Sequence, residues 1–74
     1  MTKTIKLTPA DAKEFVNIAG GCDFDIDISY NRYVVDAKSI LGVLGLDFSK
    51  PLTVCYNGYN EKLEQYLRAM SCAS

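Results

Sequence analysis

Histidine is missing from these 74 residues. Its absence removes the commonest general base and one of the two usual zinc ligands. Cysteine is sparse and odd in number, with Cys22, Cys55 and Cys72 far apart. Zinc sites need closely paired Cys/His ligands, so no metal site is expected, and the three are read as reduced structural or surface thiols of a cytoplasmic protein. A metal- or thiol-dependent role for them is a weaker rival. Charge of one sign is lacking too: eight basic and nine acidic residues give a net charge of −1. The lysines and arginines are scattered from Lys3 to Arg68, so no basic stripe follows a phosphate backbone and no nucleic-acid partner is expected. No apolar run approaches the ~18 residues of a membrane span. Met1–Leu7 has no apolar core, so neither a membrane partner nor a signal peptide is expected.

What is present suits one small globular domain, residues 1–74. The hydrophobic fraction of 49% is ordinary for a folded chain. A domain of this size buries only about 60% of its unfolded surface, which allows one thin core.

Thr2–Leu7 alternates polar and apolar residues, predicting a strand with Ile5 and Leu7 inward. Thr8-Pro9-Ala10-Asp11 then opens a helix, with Thr8 as cap, Pro9 in the first turn and Asp11 completing a weak capping box. Ala12, Phe15, Val16 and Ala19 form its apolar stripe, and Gly20-Gly21 ends it. Cys22–Tyr30 alternates strictly: Cys22, Phe24, Ile26, Ile28 and Tyr30 on one side, Asp23, Asp25, Asp27 and Ser29 on the other. This pattern predicts a strand with one dry and one acidic face. Asn31-Arg32 turns into a hairpin partner, Tyr33–Val35. Within Asp36–Leu46, Gly42 and Gly45 argue against a strand. Ser39 as cap and Gly45 just past the end predict one or two helical turns. Pro51–Tyr56 is a fourth strand with Leu52, Val54 and Tyr56 inward. Asn60 caps a last helix bearing Leu63, Tyr66, Leu67 and Met70, with Glu64 and Arg68 paired on its wet side. Ser71–Ser74 is expected to fray. The order β-α-β-β-α-β-α, with strands apolar on one side only, predicts an α+β fold: a two-layer open-faced sandwich of four antiparallel strands with the helices on one face.

Little of this carries chemistry. Asp23, Asp25 and Asp27 begin like a calcium loop, but the sixth position is Ile28, not glycine, and the twelfth is Val34, not glutamate. Along a strand these carboxylates stand ~7 Å apart, so a solvated face is the reading. No serine or cysteine has an adjacent base by spacing, and the glycine pairs follow helices instead of opening them. No catalytic residue, cofactor or enzymatic activity is expected. Lys38-Ser39-Ile40-Leu41-Gly42-Val43-Leu44 differs. With Val43 inward, Ile40, Leu41 and Leu44 face water in part, beside Lys38. This is either a docking patch or simple packing. Ser39 is either a plain cap or a position where a phosphate meets free backbone N–H groups.

The stretch Val35-Asp36-Ala37-Lys38-Ser39-Ile40-Leu41-Gly42-Val43-Leu44-Gly45-Leu46 resembles the V-x-x-K-S-I-x-G-V-x-x-L segment of HPr, the phosphocarrier family of the sugar phosphotransferase system. The element order agrees, and the register holds from about residue 12 to 56. The resemblance implies that Ser39 matches a regulatory serine phosphorylated by a dedicated kinase. It also implies that Ile40, Leu41 and Leu44 match the surface that docks enzyme I, that kinase and transcriptional partners. The family's G-x-H-A-R-P segment has no counterpart: Leu7-Thr8 runs directly into Pro9, and Thr8 falls roughly at the histidine's place. The resemblance thus implies a regulatory, protein-binding module without phosphohistidine transfer. The alternative is a small interaction domain unrelated to sugar transport, acting through its acidic sheet face or dimerising by its edges.

Overall fold

The computed structural model describes residues 1–71. Strands β1 (Thr2–Ile5), β2 (Ile26–Tyr30), β3 (Tyr33–Asp36) and β4 (Leu52–Tyr56) form one antiparallel sheet in the order β1-β4-β2-β3. Helices α1 (Ala12–Gly20), α2 (Ile40–Leu44) and α3 (Glu61–Ala69) join them, and a 3₁₀ turn, Pro9–Asp11, leads into α1. The chain therefore has the expected α+β, βαββαβα architecture.

Alternation builds the two layers. Ile5, Ile26, Ile28, Leu52, Val54 and Tyr56 are buried toward the helices, which answer with Phe15, Ala19, Val43, Leu63 and Leu67. Each large aliphatic group so buried contributes about 1.5–3 kcal/mol, and this single layer of contacts is the fold's main support. On the other face the register lines up Thr2, Cys55, Asp27 and Asp36, then Thr4, Thr53, Ser29 and Val34. That face is open to solvent, with Thr53 and Ser29 half-buried.

Local rules set most boundaries. Asn60 accepts from the Leu63 N–H at 3.0 Å and starts α3. The β2–β3 turn places Asn31 at φ 54°, a left-handed conformation that asparagine tolerates better than other non-glycine residues. Three expectations are corrected. Strand β2 starts at Ile26, not Cys22: its neighbour β4 ends at Tyr56 opposite Ile26, so Asp23 and Asp25 have no ladder to join and lie in the connection from α1. Their alternation persists as burial, with Cys22 inward and Phe24 half-buried against Tyr56 (ring centroids 5.9 Å apart). Glu64 takes a hydrogen bond from the Tyr56 hydroxyl, which ties it to the sheet instead of to its helix neighbour Arg68. Ser71 does not fray but bridges Ile5 beside β1; the rest of that expectation, 72–74, lies outside the described residues.

Candidate functional site

The short helix α2 is held by its own first residues. Asp36 Oδ1 accepts from the Lys38 N–H at 2.9 Å, and the Asp36 carbonyl accepts from the Ser39 N–H at 3.0 Å, turning the chain out of β3. Ser39 then caps the helix, its hydroxyl oxygen accepting from the Gly42 N–H at 3.2 Å. A Cβ at Gly42 would lie 3.3 Å from the Val35 Cβ, so glycine there lets α2 lie close on β3. Five residues offer one inward position, filled by the fully buried Val43. The remaining apolar side chains have nowhere to go: Ile40, Leu41 and Leu44 are 37%, 83% and 48% exposed.

Ile40 and Leu44, one turn apart, form one wall of a cleft of about 440 Å³. Pro9, Lys13, Val16 and Asn17, from the entry and outer face of α1, form the other. Leu41 stands outside the cleft. Lys38 is turned away from it, donating from Nζ to the Cys22 carbonyl at 3.0 Å and so fastening α2's entry to the end of α1. Sequence reasoning identified the α2 side of this cleft and missed the α1 side. Val16 carried a usable signal, being the fourth apolar residue of a stripe in which Ala12, Phe15 and Ala19 fill the core.

The start of α1 is built differently. The Asp11 carboxylate accepts from both the N–H and the hydroxyl of Thr8, each at 2.9 Å, so the threonine hydroxyl is a donor tied to a negative charge. The Asp11 carbonyl lies 3.4 Å from the Tyr66 hydroxyl on α3. Burial, followed by the nearby charges of Asp11 and Glu14, holds that phenol neutral, its pKa pushed up to about 12. Tyr56 moves upward as well, through burial and its bond to Glu64.

The other candidates do not assemble. Asp27 alone of the three early aspartates lies on the sheet, and among the described residues no three His, Cys, Asp or Glu side chains are grouped to hold a metal ion. Cys22 is buried and donates to the Ile18 carbonyl; burial raises its thiol pKa, Lys38 opposes the rise and Asp23 adds to it. Cys55 lies exposed on the open face with the Thr2 hydroxyl 3.6 Å away, and Cys72 lies outside the described residues. A larger cleft between α1 and α3, lined by Glu14, Asn17, Ile18, Gly21, Asn60, Glu61 and Lys62, contains no serine, threonine or cysteine. No helix among the described residues is long and apolar enough to cross a membrane.

A four-stranded antiparallel open-faced sandwich with three helices in βαββαβα order is the scaffold expected of a phosphocarrier-type domain. The family model described as the PTS HPr component phosphorylation site matches residues 6–71, and the chain belongs to the HPr family. Comparison with curated proteins gives no match. The matched span crosses the Thr8–Pro9 junction, where this chain carries no imidazole.

Proposed function

We propose that this chain is a regulatory, protein-binding member of the phosphotransferase system that docks partners through the α1–α2 cleft and does not carry phosphate on histidine. The observation that supports it most is the pair Ile40 and Leu44, left exposed by a helix too short to bury them and facing Pro9, Lys13 and Val16 across an apolar cleft. An exposed apolar patch rimmed by polar side chains marks a protein contact better than it marks packing. Leu41 extends the patch at its rim, while Lys38 contributes by holding the helix in place. The partners are phosphotransferase-system proteins, a serine kinase of the HPr type among them, and the setting is the cytoplasm. The chain acts as a binding module, with no catalytic residue of its own.

Phosphoryl transfer through histidine needs a ring nitrogen that forms a labile phosphoramidate, and the sequence contains none. The Thr8 hydroxyl is a poor substitute, since it donates to the Asp11 carboxylate, whose charge would repel an incoming phosphate. Ser39 is the regulatory phosphorylation site in this reading: exposed, with an acceptor hydroxyl and no acidic residue in the following turn. Two reactions test the proposal. Enzyme I with phosphoenolpyruvate should leave the chain unlabelled, and an HPr kinase with ATP should add one phosphoryl group that Ser39→Ala abolishes. Labelling in the first reaction, or an unchanged mass in the second, would overturn the corresponding half. Docking is tested by Leu44→Asp, which should abolish capture of enzyme I or the kinase; unchanged capture would reduce the patch to packing.

A further inference from the structure

The sheet ends in two edges, β1 and β3. An edge strand presents unpaired N–H and C=O groups, and proteins that stay monomeric guard it with charge, proline or a covering segment. Strand β1 is guarded: Lys3 sits in its middle, Ser71 bridges Ile5, and the Lys6 N–H just beyond donates to the Met70 carbonyl at 3.0 Å. Among the described residues, strand β3 has no such guard. Its central run Tyr33-Val34-Val35 has no charge and no proline, and Tyr33 and Val34 are 70% and 62% exposed.

The ladder fixes how a second strand could pair there. The Ala37 N–H donates to the Ile26 carbonyl at 2.9 Å, continuing the register Ile28↔Val35 and Tyr30↔Tyr33. Odd-numbered residues of β3 therefore aim their backbone groups at β2, and Val34 and the Asp36 N–H aim theirs outward. Two copies related by a two-fold axis can pair only through these outward residues. Centred on Val34, that pairing gives two reciprocal N–H···O=C bonds between the two Val34 residues. It also brings Arg32, in the turn that opens β3, to the end of the paired strands where Asp36 of the other copy lies. Asp36 already stands directly across from Asp27, a like-charge pair on the open face, and such pairs are unfavourable until a cation joins them. The neighbouring registers lose this match: one sets Arg32 against Val34 of the second copy, the other sets it against Lys38.

We propose that this chain self-associates as a two-fold dimer by antiparallel β3–β3 pairing centred on Val34, locked by reciprocal Arg32–Asp36 ion pairs. The two sheets become one continuous sheet, and the α1–α2 cleft stays open in both copies, so the dimer stands or falls independently of partner docking. A four-residue strand buries less than the roughly 1,200 Å² of a standard interface, so the dimer is weak and forms with rising concentration.

Sedimentation equilibrium of the full chain, with dilution followed by amide NMR, tests this. The expected result is a dimer at high concentration with shift changes concentrated at residues 32–36. Arg32→Glu and Asp36→Arg should each weaken it at least about tenfold, and the double exchange should return it to within about threefold of wild type. Val34→Pro should abolish it without breaking the β2–β3 ladder, because the Val34 N–H points outward. A chain monomeric to millimolar concentration overturns the proposal. So does a dimer indifferent to Val34→Pro and Arg32→Glu, or a double exchange that is folded by circular dichroism yet fails to recover. Should Asp36→Arg not fold, Arg32→Glu and Val34→Pro decide alone.

Discussion

Helices α1 and α2 both begin at the rim of the same cleft, and their first turns are built on opposite principles. At the entry to α1 the threonine hydroxyl donates a hydrogen bond to a carboxylate, and the Tyr66 hydroxyl donates to the Asp11 carbonyl from behind. At α2 the serine hydroxyl accepts from a backbone N–H, and no acid follows in the first turn. Negative charge is already spent at the first start and would be welcome at the second. The apolar walls of the cleft thus do not depend on how either turn is built: Ile40 and Leu44 face Pro9, Lys13 and Val16 beside a closed, acid-braced turn on one side and an open serine cap on the other.

The largest effect is expected from opening the core under α1. Phe15 is fully buried and meets Tyr66 with ring centroids 6.2 Å apart; Phe15→Ala should cost about 3–5 kcal/mol, measured by urea unfolding, and loosen both starts together. Leu44→Asp separates surface from fold: partner affinity should fall at least about tenfold, while stability stays within about 0.5 kcal/mol of wild type, since the side chain is half exposed. The caps sharpen the contrast further. Ser39→Ala and Asp11→Ala should each cost about 1 kcal/mol, but Ser39→Asp should keep most of its helix, whereas Thr8→Asp should be worse than Thr8→Ala because it sets two carboxylates together. The smallest effect is alkaline. The Tyr66 phenol has a folded pKa raised from 10.0 to about 12, so its contribution is complete below pH 10 and is lost as pH climbs toward 12. Tyr66→Phe should flatten that decline in thermal melts, leaving the descent due to Tyr56.

What could be read in the sequence was whatever a side chain settles with its own neighbouring backbone. Ser39, Gly45, Asn60 and the Asn31-Arg32 turn all act within four residues, and all stand where spacing predicted. The α2 half of the cleft was legible for the same reason, because a five-residue helix with one inward valine must expose its other apolar residues. Alternation misled at Cys22–Asp25 because it reports burial, and burial outlasts strand pairing once β4 has ended. Lys38 was grouped with the patch by adjacency, but the direction of a long side chain depends on which acceptor the fold brings near, here the end of α1. The β3 edge was visible only as a hydrophobic run; its pairing phase needed the Ala37–Ile26 bond.

Gly58 shows how easily a packing constraint can pass for a functional one. A Cβ there would fall 2.3 Å from Phe24 Cδ1 and 2.5 Å from Cγ, a hard clash with the ring, although the glycine adopts no left-handed backbone angle. Any larger residue would have to evict Phe24 from its stack on Tyr56, and with it the cover over this end of the sheet. An evolutionary comparison that found this position frozen would therefore be recording the footprint of a phenyl ring, not the trace of a ligand.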